Sequence, residues 1–508
     1  MAKDPSNPGF TVGIVGAGTM GRGIAQIMAM GGMRVKLFDA QAGAAEEGRS
    51  FAERMILRAA EKGAITDVEA KSHLADLTVA GEMQELADAD LIVEAIVEDL
   101  EIKQKVFAAL EGIVAPECIL ATNTSSLSVT AIAAPASAPE RYAGYHFFNP
   151  VPLLKVVEVV EGLRTARWVT EALAKVARRA GHEPVRTKDT PGFLVNHAGR
   201  GLYTEGLRIV AEGIADFAGV DDLLREGGPG FRMGPFELMD VTGLDVSHVV
   251  MESIYHQFYE EPRFRPQPLT RQRMIGGVLG RKSGGGFYQY ADGRKVEAKP
   301  AKIAADLPDS VWIGDPGTAE GRALAAALAG AAEIETGSKP SASAICLFAP
   351  LGRDATSCAV AAGVEAERAF AVDALFGLDG RRALMTTPVS DPDLRDQVHA
   401  LLAKDGHAVT VLHDSPGFVN QRVVATIVNI ACDIAQARIA MPEDIDKAVR
   451  LGLAYPQGPL AMGDKWGPRR ILAVLEAMQA FYGDPRYRPS PWLRRRALLG
   501  VSLLTAEG

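Results

Sequence analysis

The 508 residues, 47% apolar and 23% charged, make a globular chain with room for several domains at roughly 100–200 residues each. A net charge of −9 gives a nucleic-acid partner no whole-chain support, although a local basic patch for an anionic small molecule stays open. Cys118, Cys346, Cys358 and Cys432 form no CxxC and no zinc-like spacing with histidine, the opening MAKDPSNPGF lacks the apolar core of a signal peptide, and no apolar stretch reaches ~18 residues. Reduced thiols, no metal, no membrane span and a cytoplasmic setting are therefore expected.

The chain opens on a strand, a glycine turn and a helix. Residues 10–15 are an apolar run rich in β-formers, Gly16-Ala-Gly18-Thr-Met-Gly21 follows, and 22–30 reads as an apolar helix. A second run, 34–38, ends at Asp39. A highly charged helical stretch is predicted over 44–74, and further strands over 91–95, 119–122 and 143–147, with helical patterns between them. Strands alternating with helices predict a doubly wound, mostly parallel sheet covered on both faces. From 190 to 278 strands fade and helical periodicity takes over.

The second half repeats the first in degraded form. Asp189-Thr-Pro-Gly-Phe193 returns as Asp414-Ser-Pro-Gly-Phe418, and Ala180-Gly-His182 as Asp405-Gly-His407. Met233-Gly-Pro-Phe236 returns as Gln457-Gly-Pro-Leu460, and FYEEPRFRP at 258–266 as FYGDPRYRP at 481–489. Matches in one order at nearly one offset mean that the helical domain is duplicated. A weaker echo of the opening unit lies at 311–321. The expected organisation is an α/β Rossmann domain over 1–187, an all-α domain over 188–291, a polar linker over 292–309, a degenerate α/β segment over 310–413 and a second all-α domain over 414–508.

Each part of the glycine motif has a physical task. Gly16 permits the tight turn, Gly18 lets backbone approach a pyrophosphate, and Gly21 lets helix pack on strand. The helix N-terminus offers free N–H groups and a positive dipole end. Asp39, closing the next strand, suits a ribose diol and repels a 2′-phosphate, so the expected cofactor is NAD. A glycine turn without a ligand is the alternative. In the echo, Gly314, Gly317 and Gly321 are spaced GxxGxxxG with no strand-terminal acid at the right distance, and no dinucleotide is expected there.

The chemistry points to 145–160, YHFFNPVPLLKVVEVV. His146 closes a predicted strand, and Glu158 sits among valines, where an unpaired carboxylate is costly. The two are expected to pair. Oxidising a secondary alcohol needs a proton acceptor near neutral pH, and imidazole suits that step. A core histidine with a structural salt bridge is the plainer alternative. Asn123-Thr-Ser125-Ser126 follows a predicted strand and so belongs at the carboxyl edge of the sheet, with hydroxyls for a substrate oxygen or for a helix cap. Asp189 or Thr190 is expected to cap a helix with Pro191 early in it, which puts Asn196 near the end of its second turn.

At these residues the chain resembles the 3-hydroxyacyl-CoA dehydrogenase family, over 10–290. The resemblance rests on Gly16-x-Gly18-x-x-Gly21, Glu94-Ala-Ile-Val-Glu98, Asn123-Thr-Ser125-Ser126, His146-Phe-Phe-Asn-Pro150, 189–196, Met233-Gly-Pro-Phe236 and Gly285-Gly-Phe-Tyr288. It implies oxidation of an (S)-3-hydroxyacyl-CoA to the 3-oxoacyl-CoA, with NAD taking the hydride. It implies His146 as the base held by Glu158, Ser125 and Asn196 at the substrate's 3-oxygen and thioester region, and Asp39, Glu98, Lys103 and Asn123 along the NAD site. The length is similar to that of a branch with a second, degenerate helical domain that works in phenylacetate breakdown on 3-hydroxyadipyl-CoA; other members use 3-hydroxybutyryl-CoA. Placed on the family pattern, Leu384 stands in the histidine position and Gln421 in that of Asn196, so the second half is expected to be non-catalytic. Minimal members pair two chains through their helical domains. A homodimer is therefore expected, or a single chain whose internal repeat acts as a pseudo-partner.

Coenzyme A is anionic, and Arg54, Arg58 and Lys62 share one face of the charged helix. That face is either a clamp for CoA phosphates or simply solvated. Two other functions compete. A β-hydroxyacid dehydrogenase acting on a free acid commonly uses a lysine base, which the His146–Glu158 pair disfavours. A non-catalytic NAD-binding protein would have no need of His146, Glu158, Ser125 and Asn196 together. Enoyl-CoA hydratase chemistry is not expected, because these residues offer no extra domain to house it.

Overall fold

Runs of buried β-formers set the first sheet. The computed structural model describes residues 4–296 and 305–507, so 297–304 of the expected 292–309 linker lie outside the described residues. Two compact units divide the chain: Met1–His197 with Arg438–Ala454, and Ala198–Ala437 with Tyr455–Gly508.

In the first unit, β1 (Thr11–Val15), β2 (Arg34–Phe38), β3 (Leu77–Val79), β4 (Leu91–Glu94), β5 (Ile119–Thr122), β6 (Tyr142–Phe147), β7 (Val156–Glu161) and β8 (Glu183–Lys188) form one sheet. Its order is β3-β2-β1-β4-β5-β6-β7-β8, and neighbours are parallel except β6 and β7. β1, β4, β5 and β6 are buried along their whole length, as a sheet covered on both faces requires. Helices Thr19–Met30 and Arg167–Arg179 bury Ile24, Met28, Leu173 and Val176 on one face, and Leu100–Glu111 buries Phe107 and Leu110 on the other. Strand order reverses at β1, which opens a ligand crevice beyond the carboxyl ends of β1 and β4. The charged stretch after β2 is two helices, Ala44–Glu61 and Asp67–Ala75, the second opened by a Thr66–Glu69 capping box. The edge strand β8 is covered by part of the second helical repeat: the Lys188 N–H donates to the Ile439 carbonyl at 3.0 Å.

The second unit begins all-α, with helices Arg200–Ala211, Phe217–Glu226, Pro235–Thr242, Leu244–Gln257 and Pro268–Ile275, and a short hairpin of β9 (Tyr290–Ala291) and β10 (Arg294–Lys295). A smaller sheet follows, built from β11 (Ser310–Ile313), β12 (Glu333–Glu335), β13 (Ile345–Phe348), β14 (Ala369–Val372), β15 (Arg382–Thr386) and β16 (Val409–Leu412). Its order is β12-β11-β13-β14-β15-β16, again with one antiparallel pair, β14 and β15. Helices Asn420–Gln436, Pro459–Trp466, Pro468–Tyr482 and Pro491–Leu499 complete the repeat.

Three expectations are corrected. First, residues 190–194 form a turn with Phe193 at φ +49°, and the helix starts at Val195. The Asp189 carboxylate caps a different helix, Val129–Ala133, accepting from the Ser128 hydroxyl at 2.8 Å and from the Val129 and Thr130 N–H groups at 3.1 and 2.7 Å. Asn196 thus lies in the first turn of its helix. Second, Leu384 is not the counterpart of His146. β15 runs antiparallel to β14, so it takes the place of β7, the glutamate strand. β14 takes the place of β6, since Glu367-Arg368 leads into it through a 3-10 turn as Glu140-Arg141 leads into β6. Asp373 then occupies the histidine position, and Ala383, whose carbonyl accepts the Asp373 N–H, the position of Glu158. Third, the second sheet does have a strand-terminal acid, Glu335 on β12. Its carboxylate is taken up by Ser341 and Ser310.

Candidate active site

The glycine motif builds a cradle. Gly16 follows β1 at φ +104°, and a Cβ there would lie 2.6 Å from the Ala95 carbonyl beyond β4. A Cβ on Gly21 would collide with the Gly16 carbonyl, so helix and strand pack this closely only with glycine. Beside Gly18 the space within 4 Å is open. The helix Thr19–Met30 has no side-chain cap at its N-terminus, which leaves first-turn N–H groups for a phosphate. Asp39 holds the turn, its Oδ2 accepting the Ala17 N–H at 2.7 Å and its Oδ1 the Gln41 N–H at 2.9 Å. A cavity of about 600 Å³ lies against Gly16, Gly18 and Asp39 and is walled by Met83, Ile96, Val97 and Ile102. An apolar slot beside a carboxylate, a glycine turn and an uncapped helix fits an adenine dinucleotide.

His146 and Glu158 face each other across β6 and β7, which register directly. His146 Nδ1 lies 2.5 Å from Glu158 Oε2. The glutamate is fully buried, and its Oε1 accepts the Leu194 and Val195 N–H groups, both at 2.8 Å. One carboxylate therefore fixes the imidazole with one oxygen and the turn leading into Asn196 with the other. A carboxylate acceptor makes Nδ1 the protonated nitrogen of the ring. Nε2 takes no hydrogen bond among the described residues. The ring packs against Phe148, with centroids 4.4 Å apart, and Phe193, at 5.8 Å. Asn123 steadies the end of the same strand, its Oδ1 accepting the Phe147 N–H at 2.9 Å.

The Asn123-Thr-Ser-Ser segment is gathered by Glu98. One carboxylate oxygen accepts from the Thr124 hydroxyl at 2.7 Å and from the Ser125 and Ser126 N–H groups at 2.9 and 3.0 Å. Burial works to raise the Glu98 pKa, but the Thr124 hydroxyl, Lys103 and the serine donors outweigh it and hold the carboxyl below its ordinary range. Lys103 is itself buried, its ammonium 2.6 Å from Glu94 and 3.3 Å from Glu98, so it stands behind this loop. Arg54 and Arg58 are exposed on the helix Ala44–Glu61, and Lys62 caps its C-terminus.

The equivalent places in the second half are closed. Gln421 donates to Asp373 at 2.9 Å and to the Pro350 carbonyl at 3.1 Å, and accepts the Gly352 N–H at 2.8 Å. The helix Ala319–Leu328 is capped by Thr318, and its Glu320 is ion-paired to Arg470. The Phe348 ring fills the space beside Gly314. Several contributors escape sequence reasoning. The N–H groups of Leu194 and Val195 leave no side-chain signal. Phe148 and Phe193 look like ordinary core residues. Glu94 was visible as an acid ending an apolar strand, a pattern that signals a buried partner such as Lys103.

Comparison with known proteins follows the same lines. Residues 11–190 match the model of the 3-hydroxyacyl-CoA dehydrogenase NAD binding domain, and 192–290 and again 417–502 match that family's C-terminal domain. The chain is 38% identical over 491 residues to the 3-hydroxyadipyl-CoA dehydrogenase of Escherichia coli (strain K12), covering 96% of this chain and 98% of that one. A probable 3-hydroxybutyryl-CoA dehydrogenase of Deinococcus radiodurans is 39% identical over 278 residues, 55% of this chain and 99% of its own length. The crystal structure of a 3-hydroxybutyryl-CoA dehydrogenase from Escherichia coli K12 superposes with a TM-score of 0.84 at 36% identity, covering 96% of this chain and 98% of that one. No helix among the described residues is long and apolar enough to cross a membrane. The chain belongs to the 3-hydroxyacyl-CoA dehydrogenase family and is an NAD-dependent oxidoreductase of 3-hydroxyacyl-CoA thioesters.

Proposed function

We propose that His146 is the general base of this oxidation, with Glu158 as its brace and with Ser125 and Asn196 binding the substrate's 3-oxygen and thioester region. The observation that carries the reading is the 2.5 Å contact from Nδ1 to a fully buried carboxylate, which leaves Nε2 as the basic nitrogen. Bound NAD supplies the hydride acceptor. Nε2 takes the proton of the 3-hydroxyl as the C3–H bond gives up its hydride, and the product carbonyl forms. Glu158 stabilises the imidazolium that results. Asp39, Gly16, Gly18, Gly21, Glu98, Lys103 and Asn123 shape the cofactor side, Glu98 and Lys103 by holding the Ser125 loop. The Arg54, Arg58 and Lys62 face receives CoA phosphates. The substrate class follows the two full-length relatives, named for 3-hydroxyadipyl-CoA and 3-hydroxybutyryl-CoA. NADH formation by wild type and His146→Ala, on both thioesters and on free 3-hydroxybutyrate, tests this. His146→Ala should lose about 10²–10⁴-fold in kcat. An unchanged kcat, or preference for the free acid, would overturn the reading.

We further infer that the repeat serves as a built-in partner. Within the second unit the two helical repeats meet reciprocally. Arg263 donates to the Arg486 carbonyl at 3.2 Å, and Arg486 to the Pro262 carbonyl at 3.0 Å, each from the same position of its own repeat. Such a self-complementary exchange is the mark of an isologous interface. A Cβ on Gly201 would lie 3.2 Å from Ile427, so the helices Arg200–Ala211 and Asn420–Gln436 are nearly in backbone contact. The edge strands agree: Lys188 on β8 donates to Ile439, and His413 beyond β16 donates to Ile214. The full chain should be monomeric by native mass, and residues 1–291 alone should unfold more readily or dimerise. A stable, active monomer of 1–291 would end the idea.

A further inference from the structure

We propose that His182 is a positioning residue for the reaction: it fixes the loop leaving His146 by holding the Val151 carbonyl. The proposal rests on His146 being the base. His182 sits in the turn between the helix Arg167–Arg179 and β8, and is 2% exposed. Its Nε2 is 2.9 Å from the Val151 carbonyl and its Nδ1 3.1 Å from the Ala180 carbonyl. Both carbonyls only accept, so a neutral ring can serve one of them, and we place the proton on Nε2, at the shorter contact. The ring edge also meets Phe147, the neighbour of His146 on β6, with centroids 5.6 Å apart.

The two contacts bracket a short loop. Phe147 is fixed on its other side by Asn123. Val151 is 1% exposed and lies under the dinucleotide helix, where a Cβ on Gly23 would be 3.1 Å from it. Between these points, residues 148–150 carry Phe148, whose ring rests on His146. Without the hydrogen bond, Val151 would be held by packing alone, and Phe148 and the imidazole would lose a shared constraint. The duplicate supplies an internal comparison. Its copy, His407, has a 32% exposed side chain and lies 3.9 Å from Asp405, in the half where Asp373 stands in the position of His146. Burial lowers the pKa of His182, the two carbonyls oppose that, and Lys155 adds to the lowering. The net direction leaves a neutral ring with one N–H at neutral pH.

His182→Phe keeps a ring against Phe147 and removes the donor, whereas His182→Gln keeps an N–H. With (S)-3-hydroxybutyryl-CoA the Phe variant should lose about ten- to a hundredfold in kcat, while its KM for NAD moves less than about twofold. The Gln variant should recover at least about half of that loss on a logarithmic scale. A residue of merely structural importance would lower Tm and leave the kcat of folded enzyme alone, and that result overturns the proposal. Should the Phe variant not fold, imidazole nitrogen NMR of the wild-type enzyme decides: Nε2 protonated and slowly exchanging supports the proposal, a bare Nε2 ends it. His146→Ala separates the two layers. If it stays active, the base assignment fails; if it is dead while His182→Phe runs at full rate, only the positioning role fails.

Discussion

Glu158→Gln puts the brace to the sharpest test. Glu158 accepts from His146 Nδ1 at 2.5 Å and from the Leu194 and Val195 N–H groups at 2.8 Å each. In the variant the amide carbonyl can serve the two backbone donors, since an NH2 group cannot. The NH2 group is then forced onto Nδ1, which must become an acceptor. The ring proton moves to Nε2, the nitrogen that has to be bare. Two losses combine. The bond to the forming imidazolium is charge-assisted and worth about 1.5–3 kcal/mol, or roughly ten- to 150-fold. The tautomer inversion comes on top, and the same carboxylate-to-amide change in a serine-protease triad costs about 10⁴ in kcat. The expected loss in kcat is therefore about 10³–10⁴-fold. The KM for NAD should stay within about twofold, because Glu158 does not line the dinucleotide cavity. Initial rates of NADH formation read the loss, and circular dichroism confirms the fold. A folded variant within about tenfold of wild type would refute the tautomer argument.

Four further outcomes are expected. Asp39→Ser removes an acceptor for the Ala17 and Gln41 N–H groups and for a ribose, so KM for NAD should rise at least about tenfold and the gap to NADP should narrow. Arg54→Glu with Arg58→Glu should raise KM for acyl-CoA by about tenfold at low salt and leave NAD binding alone, with the effect fading as salt is added. Burial pushes Asp373 up to about 6 from an ordinary 3.8, so the fold favours its protonated form; its stability contribution is full below the lower value and lost as pH rises through the higher. Asp373→Asn should thus stabilise the enzyme at neutral pH, by about 3 kcal/mol at most, and leave kcat unchanged, which urea denaturation at acid and neutral pH will read. Glu205→Gln leaves the fully buried Arg422 short of its 2.7 Å partner and should cost about 3 kcal/mol in the same assay.

How much was legible depended on whether a residue's task needed its own side chain. The parallel sheet could be read because β1, β4 and β5 are apolar on both faces. The proximity of His146 and Glu158 could be read because a carboxylate among valines demands a partner. The start of the helix carrying Asn196 could not. Asp189 looks like an N-cap for its own segment, and only the tertiary structure sends its carboxylate to Val129 and Thr130. The counterpart of His146 is hidden for a related reason. Leu384-Met-Thr-Thr-Pro388 mimics His-Phe-Phe-Asn-Pro by its proline, whereas position in a sheet is set by strand direction, which sequence spacing does not reveal.

The decayed copy separates what the fold needs from what the chemistry needs. Gly321 still lets helix approach strand as Gly21 does, since a Cβ would strike the Asp315 carbonyl. Asp414 still caps the helix Ala355–Ala362 through Ala355 and Thr356, as Asp189 caps Val129–Ala133. These features hold layers together in a half that lacks counterparts of the His146 and Glu158 side chains. Asp373, Ala383 and Gln421 stand where His146, Glu158 and Asn196 do, and the Gln421 amide now bonds the groups around it. The Gln421 amide is thus committed to protein partners and closed to a ligand, while Asp373 Oδ2 beside it is buried without a partner among the described residues. In the first half His146 Nε2 takes no hydrogen bond among the described residues and stays open to a ligand, while Nδ1 is held by Glu158. Putting an apolar side chain there, as in His146→Leu, should abolish NADH formation and, by leaving the fully buried Glu158 carboxylate without its imidazole partner, lower Tm. A rise in Tm instead would mean that the open imidazole costs the fold more than its pairing with Glu158 contributes.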